Sequence, residues 1–211
     1  MAKTEYYSVR FFPDCVYHVY NRTVDRKSLF RNDNNYSFFL QRYKKYLSPL
    51  VETYSYALCG NHFHFGLKVK SENELNKFID ENRWQGRFNE AHALVSHQFQ
   101  SFLLSYAKAF NMQHDRIGAL FQSPFKRCAV DSEMRLMQMI YYHHANPQRH
   151  QLCNDFRTYP WTSYLTYLAP NSSLVPQNEV FEWIGGRQQF IEYHNQINQE
   201  LEEDCHWMIE D

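Results

Sequence analysis

The run from 61 to 67, Asn-His-Phe-His-Phe-Gly-Leu, most constrains the fold, because polar and apolar residues alternate in it as in a half-buried β-strand. Side chains of a strand alternate between two faces, so His62 and His64 share one face while the two phenylalanines lie on the other. Two neutral imidazoles on one face can bind a divalent metal ion. We therefore predict that His62 and His64 are metal ligands; the alternative is a pair of solvated or core-capping histidines.

Length and composition limit the kind of protein that this chain can form. With 211 residues it can build one domain with a good core and a small appendage. The segment from Met1 to Glu5 is too polar for a signal peptide, and no apolar run reaches the roughly 18 residues that span a bilayer. Five scattered cysteines favour free thiols over a zinc ribbon. We expect a soluble cytoplasmic protein that does not contact a membrane.

The charge balance restricts how the chain can contact nucleic acid. Its formal net charge of −1 argues against holding duplex DNA by bulk electrostatic attraction. Any contact with nucleic acid must therefore be local. The aromatic content of 18% suits a dense aromatic core, which is the default for most of these residues, or stacking platforms for unpaired bases.

Sequence periodicity predicts four strands and several helices. The dipeptide Gly60-Asn61 suits positive φ and is expected to join two strands in a tight hairpin. The order strand-helix-strand-strand-helix-strand with a closing helix indicates an α+β fold, a ferredoxin-like antiparallel sheet with helices on one face. We expect this core over residues 10–150 and a C-terminal extension, a loop followed by a helix, over 151–211. The predicted strands cover 15–22, 51–59, 62–69 and 119–130, and the predicted helices cover 35–47, 91–113, 131–145 and 187–204, with a further helix from residue 71.

The helix predicted over 131–145 carries a second group of candidate residues. Tyr142 and Asn146 are four residues apart, so their side chains lie side by side on the helix surface. If their face looks at the histidine-bearing face of the sheet, a phenol and an amide oxygen converge on the metal. We expect His143 and His144 to be structural, because neither shares the face of Tyr142. The helical wheel puts Leu136, Met137, Ile140 and His144 on the core stripe, and Arg135, Met139, Tyr142 and Asn146 opposite it.

Several short motifs occur in one order along the chain. They are Tyr17-His18-Val19 with Asn21-Arg22, Tyr56-Ala57-Leu58 followed by Asn61-His62-Phe63-His64, Gly118-Ala119-Leu120-Phe121-Gln122 with Phe125-Lys126, Tyr142 with Asn146-Pro147, and Trp161-Thr162-Ser163-Tyr164. With these motifs the chain resembles the HUH-type single-tyrosine transposases, and most closely the REP-associated tyrosine transposases. The resemblance covers about residues 15–165.

This resemblance implies that His62 and His64 are metal ligands, that Tyr142 is the nucleophile and that Asn146 supplies a third ligand. It implies Mg²⁺ or Mn²⁺ as the cofactor and single-stranded or hairpin DNA as the partner. The implied reaction is cleavage and rejoining of single-stranded DNA through a 5′-phosphotyrosine intermediate. Tyr141 flanks the core stripe and is the less favoured nucleophile. The chain is expected to act as a monomer or homodimer.

Two other functions are compatible with these residues. A domesticated protein of this kind would bind a DNA hairpin without cutting it, and the near-neutral charge agrees with such a role. A metal hydrolase of small substrates is the third candidate, but no acidic general base accompanies the histidine pair. The intact set of four site residues favours the transposase.

Isolated basic residues near the proposed site are candidates for contacts with DNA phosphates. Lys68 and Lys70 keep the parity of the histidines along their strand if no bulge intervenes. For these two lysines a solvated strand end is an equally good explanation. Arg135 shares the helix face of Tyr142. The predicted DNA-binding residues are Arg22, Lys68, Lys70, Lys126, Arg127 and Arg135.

Overall fold

The computed structural model describes residues 9–170 and 174–196. Within these residues the strands are β1 (Val16–Arg22), β2 (Val51–Cys59), β3 (His62–Val69) and β4 (Lys126–Val130). The helices are α1 (Asp33–Leu47), α2 (Glu72–Glu81), α3 (Ala91–Gln113), α4 (Glu133–Arg149), α5 (Ser163–Leu168), α6 (Gln177–Ile184) and α7 (Arg187–Gln196), with a 3₁₀ turn at Phe156–Thr158. The part of the predicted helix 187–204 that follows residue 196 lies outside the described residues.

The strands form one antiparallel sheet in the order β2-β3-β1-β4. This is the strand order of a ferredoxin-like sheet, so the predicted fold class is confirmed. The strand predicted over 119–130 is shorter than expected and comprises only Lys126–Val130. The reason is Pro124, which has no N–H to donate to a neighbouring strand.

Different helices cover the two faces of the sheet. Phe63 and Phe65 of β3 belong to an aromatic core that includes side chains of α1 and α3. His62 and His64 lie on the opposite face, where α4 packs across β2 and β3. The prediction of helices on one face therefore holds for α1 and α3 but not for α4. The physical reason is that α4 carries its own apolar residues, which need a second buried surface.

The close approach of α4 to β3 depends on Gly66. A Cβ atom at this position would lie 2.5 Å from both Met139 Cε and Ser55 Oγ. Such distances are far inside van der Waals contact, so a larger residue would displace the side chains of Met139 and Ser55 or the helix behind them. Gly66 thus leaves room for the side chain of Met139, on the helix that bears Tyr142, to pack directly against the strand that bears the histidines.

Helix α4 is longer than predicted at its C-terminal end. Its start is capped by Ser132, whose Oγ accepts a hydrogen bond from the N–H of Arg135. Its end was predicted at residue 145, but the helix continues through Pro147 to Arg149. A proline near the end of a helix removes one hydrogen bond without stopping the final turn. The extra turn keeps Asn146 inside the helix, one turn after Tyr142.

The residues after α4 form short helices that pack against its outer side. Tyr141 and His144 of α4 join Phe190 and His194 of α7 in a second buried cluster. His144 Nδ1 lies 2.8 Å from His194 Nε2, and His144 Nε2 lies 2.7 Å from Ser163 Oγ. Helix α4 is therefore buried on two sides, by the sheet and by the C-terminal helices. None of the helices in the described ranges is long and apolar enough to cross a membrane.

The turn between β2 and β3 is held by the loop that follows β1. Neither Gly60 nor Asn61 has positive φ, so that prediction is wrong. The carbonyl of Gly60 accepts hydrogen bonds from the N–H groups of Leu29, at 2.7 Å, and Phe30, at 3.2 Å. The carbonyl of Asn61 accepts another from Thr23 N–H at 3.0 Å. These external hydrogen bonds fix the turn and make a left-handed conformation unnecessary.

Candidate metal centre and nucleophile

Strand β3 and helix α4 bring the three predicted metal ligands together. His62 Nε2 lies 3.1 Å from Asn146 Oδ1. The rings of His62 and His64 are perpendicular, at 88°, and their centroids are 5.2 Å apart. Two ligand atoms bound at right angles to one cation, each at about 2.1 Å, are about 3 Å apart, and two such imidazole rings lie roughly 5 Å apart. The observed spacings therefore match those of a ligand set.

The hydrogen bonds of His62 determine which of its nitrogens carries the proton. Asn61 Nδ2 donates to the Arg26 carbonyl at 3.0 Å, so Asn61 Oδ1 is the atom that faces His62 Nδ1, at 2.7 Å. Nδ1 must therefore be protonated, because the amide oxygen can only accept. Burial lowers the pKa of His62 to about 4, so near neutral pH the ring holds only this proton. Its Nε2 presents a lone pair to Asn146 Oδ1.

Two lone pairs that face each other repel unless a cation lies between them. Asn146 Oδ1 also accepts a hydrogen bond from the Cys59 thiol at 3.0 Å, which supports the position of this oxygen. A neutral imidazole and an amide oxygen are both suitable ligands for a divalent cation. The donor set therefore fits such an ion. With the amide turned over, its N–H would donate to His62 instead, and that is the arrangement expected without a cation.

His64 is oriented by a second histidine, His18, from the neighbouring strand β1. His64 Nδ1 lies 2.9 Å from His18 Nε2. With the proton on His64 Nδ1, this hydrogen bond leaves His64 Nε2 as a metal ligand, as in His62. Burial lowers the pKa of His18 to about 3 and holds that of His64 well below its ordinary value, so both rings are neutral. Each predicted histidine ligand thus has a hydrogen-bond partner at its Nδ1.

A second grouping of histidines shares His64. The side chains of His18, His64 and His143 are buried, and they offer ligand nitrogens that lie within 4.8 Å of one another. Three imidazoles suit Zn²⁺ or Cu²⁺ better than Mg²⁺. The contact between His18 and His64 has the length of a hydrogen bond, however, and a cation in this triad would have to displace it. We therefore infer that His18 and His143 orient the proposed ligand His64 and do not form a separate metal site with it.

His143, which lies on α4, is the third histidine of this group and packs against His64. Its Nδ1 lies 2.8 Å from Ser55 Oγ, and its ring centroid lies 5.2 Å from that of His64. The helical wheel did not predict that His143 faces the sheet. The wheel assumed one buried stripe, whereas α4 is buried on two sides and meets the sheet with more than one stripe.

Tyr142 lies beside His64 in the same chain. The two ring centroids are 5.9 Å apart in an edge-to-face arrangement, and Tyr142 is only 6% exposed. The guanidinium carbon of Arg149 lies 5.3 Å from the centroid of the Tyr142 ring, within the range of a cation–π contact. Tyr141 points to the other side of α4, where its ring centroid is 5.6 Å from that of His194. A single chain therefore supplies both the candidate nucleophile and the candidate ligands.

Two of the predicted DNA-binding residues flank the histidines. Arg22 at the end of β1 is the cross-strand partner of His62 and is partly exposed. Lys126 Nζ lies 5.7 Å from the ring centroid of Tyr20, and that ring is 6.0 Å from the ring of His64. Both side chains bring positive charge to the edge of the candidate metal centre.

Lys68 and Lys70 lie at the far end of β3. They follow His64 by four and six residues, which corresponds to roughly 13 and 20 Å along an extended strand. Lys70 Nζ is 4.0 Å from a carboxylate oxygen of Glu74 in an ion pair. Lys68 keeps the parity of the histidines because the pairing of β3 with β1 is continuous from His62 to Lys68, whereas Lys70 follows the last residue of the strand. At these distances Lys68 and Lys70 lie apart from the candidate metal centre.

Arg135 and Arg127 have different surroundings. Arg135 forms an ion pair with Asp131 at 2.8 Å, about two helical turns before Tyr142. Arg127 is 7% exposed and faces the aromatic core on the other side of the sheet, where its guanidinium lies over the ring of Phe11 at 4.9 Å. The structure therefore does not bring Arg127 to the histidine-bearing face.

Three supporting residues were not predicted from the sequence. His18, Asn61 and Cys59 each contact one of the proposed ligands. A signal for His18 existed, because it is a polar residue in the middle of an apolar strand. For Cys59 and Asn61 there was none, since their contacts depend on the register of the hairpin and on the path of the loop after β1.

Comparison with known proteins gives one similarity, and it concerns the fold of this chain. No family model matches this sequence, and no curated protein does either. The chain is similar to the solved structure of a REP-associated tyrosine transposase bound to a REP hairpin, with a TM-score of 0.59 and 12% sequence identity. The similarity covers 82% of this chain and 89% of that chain. This chain therefore has the fold of that tyrosine transposase, as the ordered motifs predicted.

Proposed function

We propose that this protein is a metal-dependent endonuclease and strand transferase that acts on hairpin-forming, single-stranded DNA. His62, His64 and Asn146 would hold Mg²⁺ or Mn²⁺, and Tyr142 is the nucleophile. The observation that carries the proposal is the convergence of His62 and Asn146, with Nε2 and Oδ1 3.1 Å apart, beside the rings of His64 and Tyr142. The fold shared with a transposase bound to a DNA hairpin supports the choice of substrate.

The proposed reaction forms one bond and breaks one bond at the scissile phosphorus. Tyr142 Oη attacks phosphorus and loses its proton to water, while the bond from phosphorus to the 3′ oxygen breaks. The departing oxygen takes up a proton as the 3′-hydroxyl of the upstream fragment, and the downstream fragment stays on Tyr142 through its 5′-phosphate as a phosphodiester. Attack by another 3′-hydroxyl reverses these changes and joins two strands. When bound, the divalent cation offsets the negative charge that develops on the phosphate oxygens.

Side chains around the centre would position the nucleophile and the DNA. The Tyr142 ring is held between His64 and Arg149. Arg22 and Lys126 are the proposed contacts of the phosphates next to the scissile one, because both flank the histidines. More distant phosphates would be bound by Lys68, Lys70 and Arg135. Arg127 is left out of this set because it is buried among aromatic rings.

A covalent-adduct assay tests this function. The protein is incubated with labelled, hairpin-forming single-stranded DNA and Mn²⁺, separated on a denaturing gel and mapped by mass spectrometry. An adduct on Tyr142 supports the proposal and gives the polarity of cleavage. The absence of an adduct on a panel of hairpins, with retarded migration on a native gel, would favour a DNA-binding protein that does not cleave. Absence of both would contradict either function.

A further inference from the structure

The loop between β1 and α1 carries positive charge that has no partner within the described ranges. Arg26 and Lys27 are exposed, and Arg22 precedes them at the end of β1. None of the three belongs to an ion pair in the part of the chain that the structure describes. The carboxylate of Asp25 does not neutralise them, because it pairs with Arg116 at 3.5 Å. In a chain of net charge −1 this is a local excess of cations.

Hydrogen bonds hold the backbone of this loop, while the side chains of Arg26 and Lys27 are exposed. Thr23 Oγ1 donates to the carbonyl of Lys27 at 2.8 Å, and Lys27 N–H donates to Asp25 Oδ1 at 3.1 Å. Arg26 has a φ of 57°, in the left-handed region that residues other than glycine rarely adopt. A conformation of this kind persists only where surrounding contacts impose it, and it is commonest at functional sites.

The loop is attached to the candidate metal centre through Asn61. This side chain donates from Nδ2 to the carbonyl of Arg26 and accepts at Oδ1 from His62 Nδ1–H. One amide therefore joins the basic loop to a proposed metal ligand. Because Gly60 also accepts from Leu29 N–H, the loop and the hairpin turn form one unit at the end of the sheet where His62 lies.

We propose that Arg26 and Lys27, together with Arg22, bind phosphates of the single-stranded DNA that flanks the scissile phosphate. This inference rests on the proposed function and adds two residues to its substrate-binding surface. A guanidinium can bind a phosphate through two parallel hydrogen bonds, and an ammonium acts as a point charge. The fixed loop backbone presents both groups without the cost of ordering the backbone on binding, and Asn61 ties the loop to the proposed metal ligand.

Equilibrium binding measured by fluorescence anisotropy tests the inference. The parent protein carries Tyr142→Phe, so that no covalent product forms, and the buffer contains EDTA. Two labelled DNAs are compared, a hairpin with a single-stranded extension and the same hairpin without it. The test variant is Arg26→Gln/Lys27→Gln. The control is Lys44→Gln/Lys45→Gln, which removes the same charge from exposed positions of α1, behind the other face of the sheet.

We expect the loop variant to bind the extended hairpin about tenfold more weakly and the slope of log K against log salt to fall by about 1.4, since each single-strand phosphate contributes about 0.7. The control should change neither quantity, and the hairpin without an extension should bind all three proteins equally. Equal losses in the loop variant and the control would overturn the inference, as would an unchanged loop variant. If the parent binds neither DNA, the proposed function itself fails.

Discussion

His62 Nε2 and Asn146 Oδ1 face each other at 3.1 Å, and the only proton of the His62 ring is engaged elsewhere, by Asn61. The contact links the first residue of β3 to the C-terminal half of α4. With the amide oxygen toward His62 this contact suits a shared cation, whereas a turned-over amide would donate its N–H to His62 in an ordinary hydrogen bond. Metal titration of Asn146 variants distinguishes the two arrangements.

The contact predicts how Mn²⁺ affinity responds to changes at Asn146. Asn146→Ala should weaken Mn²⁺ binding by about tenfold or more, because one ligand is lost, while Asn146→Asp keeps an oxygen ligand and should retain binding. Free Mn²⁺ is measured by electron paramagnetic resonance during a titration. His97→Ala in α3 serves as the control, since it removes a histidine on the other side of the sheet. Equal affinity of Asn146→Ala and the unmodified protein would contradict the assignment.

The orientation of His64 by His18 gives a second prediction. His18→Ala should lower Mn²⁺ affinity by roughly 10- to 100-fold although His18 is not one of the proposed ligands, because the hydrogen bond that orients the His64 ring is lost. His18→Gln offers an acceptor at a similar distance and should recover part of the affinity. The same titration checks both variants. A triad metal site would instead make His143→Ala as damaging as His18→Ala, and Asn146→Ala harmless.

The nucleophile assignment separates two adjacent tyrosines. Tyr142→Phe should abolish the covalent DNA adduct and leave hairpin binding within about twofold, since only the reacting hydroxyl is removed. Tyr141→Phe is the matched control and should still form the adduct, because Tyr141 faces α7 rather than the sheet. Both variants are assayed on denaturing and native gels. An adduct that persists in Tyr142→Phe and disappears in Tyr141→Phe would move the nucleophile to Tyr141.

Gly66 permits a stability test of the packing between α4 and the sheet. Gly66→Ala should lower the free energy of unfolding by about 1–3 kcal/mol, because its Cβ would collide with Met139 and Ser55. In the double variant Gly66→Ala/Met139→Ala, part of the lost free energy of unfolding should return. Such a recovery would show that positions 66 and 139 are coupled. Gly60→Ala is the control, since its Cβ would meet Leu152 Cδ2 at an ordinary 3.7 Å. Urea unfolding followed by circular dichroism measures all of them.

The buried histidines predict a loss of stability in acid. Burial lowers the pKa to about 4 for His62 and His194 and about 3 for His18, against an ordinary value of 6.5. As the pH falls, these histidines therefore bind protons in the unfolded chain before they do so in the folded chain. The free energy of unfolding is then highest above about pH 6.5 and falls as the pH drops toward 4. Urea unfolding at a series of pH values measures this fall. Mn²⁺ should shift the loss to lower pH, and Asn146→Ala should cancel that shift.

The sequence predicted the parts of this fold that depend on local periodicity. Alternation along 61–67 was enough to put His62 and His64 on one face, and a spacing of four was enough to align Tyr142 with Asn146. Each of these two relationships lies within a single strand or a single helix. Their meeting was predicted only on the condition that this helix face looks at the histidine-bearing face of the sheet, and through the family resemblance.

What the sequence could not predict depends on residues that are distant along the chain. Arg127 looked like a phosphate contact, but Phe11 and Phe125 form an aromatic site that takes up its guanidinium on the other face. The hydrogen bond of His18 to His64 requires the pairing register of β1 and β3, which periodicity alone does not determine. Likewise, the second buried side of α4 arises from helices more than ten residues further along.

The burial of α4 between two layers has a consequence for strand exchange. The turn that carries Tyr142 is packed against β2 and β3 on one side and against the C-terminal helices on the other. A DNA end attached to that tyrosine would therefore stay where it was made, because the helix has no room to swing. In the proposed reaction the DNA end that is bound to Tyr142 stays in the site, and the free 3′ ends must leave and enter it.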